Sequence, residues 1–95
     1  MSEQPLTVFG ATVLELMARR GIMGWAALSR LLAEHGYDFK PPRITNWAYG
    51  RHAAPSAFPL ALREVLQLDE EEAALLAKAI AYGQGERITL KWLEE

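Results

Sequence analysis

The stretch PPRITNWAYGRHAAP, residues 41–55, decides how this chain is read. A proline at the first helical position has its φ preset and gives up no hydrogen bond that the helix needs. Pro41 and Pro42 therefore predict a helix start, and a helix over about residues 42–49 sorts its side chains into two faces. Ile44, Trp47 and Ala48 fall on one side at i, i+3 and i+4, the spacing of a core-facing stripe. Pro42, Arg43, Asn46 and Tyr49 fall on the other, with Thr45 at its edge. Gly50 closes the helix, and Arg51 and His52 follow it.

On both sides of this segment the pattern is helical. Thr7 caps a first helix with Phe9, Val13, Leu16 and Met17 at helical spacing, and Gly21 ends it. Gly24 opens a second, WAALSRLLAEH, with Trp25, Leu28, Leu31 and Leu32 on one face and Gly36 as a left-handed stop. Ser56 is expected to cap a fourth helix whose stripe is Phe58, Leu62, Val65 and Leu66, with Pro59 in its tolerated first turn. Asp69 followed by Glu72 has capping-box spacing and opens a fifth helix, with Ala73, Leu76, Ala77 and Ile80 repeating at three and four. In the tail, Ile88, Leu90 and Trp92 alternate like a strand, while Leu90–Leu93 fits one helical turn equally well.

Ninety-five residues with 51% hydrophobic content make one small folded unit, not a disordered chain. Its apolar runs are too short and too often broken by charge to span a membrane, and MSEQPLTVFG lacks the pattern of a secretory signal. No cysteine is present, which removes disulfides, thiolate metal sites and cysteine nucleophiles, and fits a cytoplasmic location. The net charge of −2 is unevenly spread. Residues 1–63 carry seven Lys/Arg against four acids, a net of +3; residues 64–95 carry three against eight, a net of −5. That division permits a basic working face and an acidic end pointing away from it, and is equally what an accident of small numbers would give.

Catalysis would need a nucleophile or an acid–base pair held by a third group. Only His35, His52 and three serines are on offer, and no hydrolase, metalloprotease or phosphate-loop motif occurs. No enzyme activity, cofactor or metal is expected. The chemistry that is present suits DNA. Arginine presents two donors that match guanine O6 and N7, and asparagine a donor and an acceptor that match adenine. Arg43 and Asn46 stand in the first turns of the third helix, with Lys40, Arg51 and His52 flanking it where phosphates would run.

The segments LSRLLAEHG, ITNWAYGR and AP, in this order, resemble the lambda-repressor-like helix-turn-helix proteins of the Cro/C1 or xenobiotic-response-element class. Ile44, Thr45, Asn46, Trp47 and Gly50 match that class's I-S-x-W-E-x-G pattern, Pro55 falls one residue late, and the likeness covers about residues 11–80. It implies an all-α fold of four to five helices that binds double-stranded DNA as a transcriptional regulator, usually as a dimer. The connector from Gly36 to Ile44 is about two residues longer than in the class. Prolines 41 and 42 stand where base-reading residues often do, which shifts base reading to Arg43, Thr45 and Asn46. Ala48 replaces a glutamate that pairs with a helix 1 arginine, so Arg19 and Arg20 are expected without a partner. Arg19, Arg30, Lys40, Arg51 and His52 are then the phosphate-contacting set.

A four-helix domain of this class closes by about Leu68, dividing the chain into a DNA-binding domain, residues 1–68, and a C-terminal helix and tail, residues 69–95. Leu76, Ile80, Ile88, Leu90 and Trp92 would hold a homodimer or higher oligomer together, and the acidic end could also meet the transcription machinery. The competing reading is a protein-interaction module with the same fold and no DNA affinity.

Overall fold

Among the described residues, four helices end in the same way. Two successive backbone N–H groups reach back to the last open carbonyls, and the residue between helix and exit takes a left-handed φ. The bonds Gly21→Ala18 and Ile22→Met17 close the first helix, and Gly36→Ala33 and Tyr37→Leu32 the second. Gly50→Trp47 and Arg51→Asn46 close the third, and Gln67→Glu64 and Leu68→Arg63 the fourth. Three of the turning residues are glycines; the fourth is Gln67, at φ 53° without glycine's freedom.

These stops delimit α1 (Val8–Ala18), α2 (Trp25–Glu34), α3 (Pro41–Ala48) and α4 (Ala57–Val65), followed by α5 (Glu70–Ala81). The structure is a computed structural model and describes residues 6–81. It is all-α, with no strand among the described residues. None of these helices is long and apolar enough to cross a membrane.

The helix starts differ more than the stops. Thr7 is an N-cap whose hydroxyl accepts from the Gly10 N–H at 2.9 Å. The capping box at α5 forms both its bonds: Glu72 N–H to Asp69 Oδ1 at 2.8 Å, and Asp69 N–H to Glu72 Oε1 at 3.2 Å. Ser56 corrects the expectation. It precedes α4 in a helical conformation, φ −62° and ψ −21°, and its side chain makes no capping bond.

One core serves all five helices. Phe9, Val13, Leu16 and Met17 of α1 meet Leu28 and Leu32 of α2, Ile44 and Trp47 of α3, Phe58 and Leu62 of α4, and Leu76 of α5. Burying each large side chain stabilises by about 1.5–3 kcal/mol. The long connector between α2 and α3 turns inward. Tyr37 and Phe39 stack at 6.4 Å, and Phe39 lies edge-on to Trp47 and to Phe58, each at 5.5 Å. Such pairs add ~0.5–1.5 kcal/mol beyond their area. The Ser29 hydroxyl donates to the Phe39 carbonyl and fixes the connector to α2.

Two expectations are corrected by α5. Leu76 is 3% exposed within this common core, so it does not face a second copy, and the core does not close at Leu68. Ile80 is partly buried against the same cluster. Ile88, Leu90 and Trp92, and the choice of strand or helical turn for the tail, lie outside the described residues.

Candidate nucleic-acid interface

Trp47 places α3. It is 4% exposed and packs at 4.8 Å from the Phe58 ring, while Ile44 and Ala48 are buried beside it. The opposite face is left to solvent: Pro42 and Arg43 are exposed, and Thr45, Asn46 and Tyr49 half-buried. Both halves of the sequence expectation for this helix are met.

Arg43, Asn46, Trp47, His52 and Pro55 line one open cleft of about 500 Å³. The Arg43 guanidinium lies over the Trp47 ring, 5.7 Å from its centroid, so the residue that anchors the helix also steadies its outward cation. Arg51 lies over the Tyr49 ring at 5.5 Å and donates to Asn46 Oδ1 at 3.3 Å. The Arg51 and His52 N–H groups both reach the Asn46 carbonyl, so the turn after α3 is folded back on the helix beside the cleft.

Other expected site residues are differently placed. Thr45 donates its hydroxyl to the Pro41 carbonyl at 2.9 Å, one turn back along its own helix. Lys40 forms an exposed ion pair with Asp38 at 3.2 Å, a contact worth little in water. Arg30 is exposed on α2.

Arg19 and Arg20 correct the sequence reading, because both have partners. Arg20 clamps Glu72 with two bonds, Nη2 to Oε1 at 2.6 Å and Nη1 to Oε2 at 3.0 Å. Arg19 reaches Glu72 Oε2 at 3.2 Å and Glu15 Oε2 at 2.6 Å. They stand at the end of α1 remote from Thr7, whose hydroxyl donates to the Ala48 carbonyl at the end of α3. Glu72, arriving from α5, is the carboxylate that both arginines share. Arg19 is thus tied to the fold through Glu72 while its side chain stays 45% exposed.

Arg20 is the chief cause that holds the Glu72 carboxyl down to about 2; burial opposes it, and the Asp69 N–H and Arg19 reinforce it. A carboxyl that titrates at about 4.3 in the unfolded chain then contributes stability that is complete above that pH. The contribution is lost as pH falls towards 2. Denaturant titrations should accordingly find Glu72→Gln less stable than the parent at pH 7, with the gap closing between about pH 4.3 and 2. A gap that stays constant down to pH 2 would show that the ion pair does not stabilise the fold.

Among the described residues, no group of three or more His, Asp or Glu side chains is placed to hold a metal ion. Comparison of the chain with protein-family models, with curated proteins and with solved structures found no match.

Proposed function

We propose that this chain is a sequence-specific DNA-binding transcriptional regulator of the lambda-repressor-like helix-turn-helix class, with α2 and α3 as the two motif helices. In this reading α3 enters the major groove, Arg43 and Asn46 read base edges, and Arg51, His52, Lys40 and Arg30 lie towards the phosphates. The observation that carries the reading is the single open cleft shared by Arg43, Asn46 and His52, with Arg51 bonded to Asn46, on the face of α3 opposite its core stripe. Thr45 becomes a weaker candidate for base reading, since its hydroxyl already bonds Pro41. The net charge of −2 favours the second reading, a protein-interaction module on the same scaffold.

Selection of bound duplexes from a random pool separates the two. On the best site recovered, Arg43→Ala and Asn46→Ala should each weaken binding by ~1–3 kcal/mol and relax the preference at one base position. Removing Arg51 or Arg30 should instead weaken all sequences alike and flatten the dependence of log K on log salt by roughly 0.9. A pool from which nothing is enriched would leave the interaction module standing.

A further inference from the structure

An apolar groove of about 300 Å³ runs between α4 and α5, lined by Pro59, Leu60, Leu68, Ala73, Leu76 and Ile80. Leu60 is 66% exposed in it, a large apolar side chain left to water. A short turn joins α4 to α5 at one end of the groove, and α5 reaches Ala81 at the other. From there the chain continues as YGQGERITLKWLEE, residues 82–95.

We propose that residues 86–93 of the same chain occupy this groove, running back from the end of α5 towards the α4–α5 turn. Position and length favour it. Residues 82–85 include Gly83 and Gly85, and connections of about two to eight residues are the usual means of reversing a chain beside a helix. Ile88, Leu90 and Trp92 alternate, which gives an extended segment one apolar edge. That edge spans ~13 Å at about 3.3 Å per residue. The α5 side of the groove, from Ala73 to Ile80, spans ~10.5 Å at about 1.5 Å per residue.

Charge sets the direction. Arg63 is the one cation among the groove's lining residues, and it belongs to the half of α4 nearer the turn. A segment running towards the turn brings Glu94 and Glu95 to it. The occupant is the chain's own tail and not a second copy's, because a tether this short supplies an effective concentration in the millimolar range. Ile88, Leu90 and Trp92 then become internal contacts in place of protomer contacts.

The absence of native cysteine makes the test direct. Leu60→Cys and Leu90→Cys, combined in the full-length protein and mildly oxidised, should give a monomer carrying an internal disulfide, at a rate independent of protein concentration. Pairing Leu90→Cys with Met23→Cys, an exposed site outside the groove, should give no such product. A disulfide-linked dimer that grows with concentration would assign the groove to a second copy and overturn the proposal, as would no cross-link. As an independent measurement, Leu90→Asp in the otherwise native full-length chain should lower Tm by roughly 4–8 °C. An unchanged Tm would also overturn it.

Discussion

Trp47→Ala is expected to destabilise the protein by ~3–5 kcal/mol, the range for truncating a buried aromatic side chain. Trp47 is 4% exposed and touches the aromatic cluster from two directions, with Phe39 at 5.5 Å and Phe58 at 4.8 Å. Its loss opens a cavity where α3, the connector and α4 meet. In a domain with a total stability of about 5–15 kcal/mol, that is a large fraction of the whole. Urea unfolding of the variant reads the change, and Trp47→Phe provides the control. Phenylalanine keeps an aromatic ring in the core but gives Arg43 a smaller face to lie over, so the fold should survive while Arg43 is less well held. A Trp47→Ala protein as stable as its parent would mean that α3 packs through a different face.

The second large effect is expected at Gly10, where two physical arguments give opposite signs. Helix propensity alone says that Gly10→Ala, inside α1, stabilises by about 1 kcal/mol. The structure says the reverse. A Cβ at position 10 would lie 2.2 Å from the Ala48 carbonyl oxygen and 2.9 Å from its carbon, and these are backbone atoms that cannot rotate away. The same carbonyl accepts from the Thr7 N–H at 3.1 Å and from the Thr7 hydroxyl at 2.9 Å. Forcing α1 and α3 apart therefore strains both hydrogen bonds as well as the packing. Overpacking of ~1–3 kcal/mol plus losses of about 0.5–1.5 kcal/mol for each of the two bonds, set against the propensity gain of about 1 kcal/mol, leaves a net destabilisation of roughly 1–5 kcal/mol. Because α3 moves, the DNA affinity proposed above should fall with stability. An alanine variant more stable than its parent would refute the close approach.

That contact also marks where sequence reading stopped. The five helices were legible because their signals are local: prolines 41 and 42, the Asp69–Glu72 box, and glycines 21, 36 and 50 each act within a turn of where they stand. The core face of α3 was legible from the spacing of Ile44, Trp47 and Ala48. The pairing of Arg19 and Arg20 with Glu72 was not, since it joins residues more than fifty positions apart and Glu72 already had a local task in the capping box. Gly10 gave one usable signal, a glycine within an otherwise regular helical pattern, which points to close packing without naming the partner. Leu76 was misassigned because its stripe on α5 looks alike whether it covers its own domain or another's. At the candidate site, the cleft residues could be gathered from one helix and its exit. The hydroxyl of Thr45, turned back to Pro41, could not be foreseen from its position on the helix edge.

The two prolines at the head of α3 have a consequence for how this helix could meet an anion. A helix start usually offers several unused N–H groups, and these can seize a phosphate directly. Here Pro41 and Pro42 have none, and the next two, on Arg43 and Ile44, are both bonded to the Lys40 carbonyl at 3.0 and 3.2 Å. The tip of α3 is thus donor-poor: it keeps its dipole but has no main-chain hand to extend. Any grip on a nucleic-acid backbone there must come from side chains, and side chains can be removed one at a time. Main-chain donors would be beyond the reach of substitution, so in this chain mutagenesis could account for the anion contact of α3 in full.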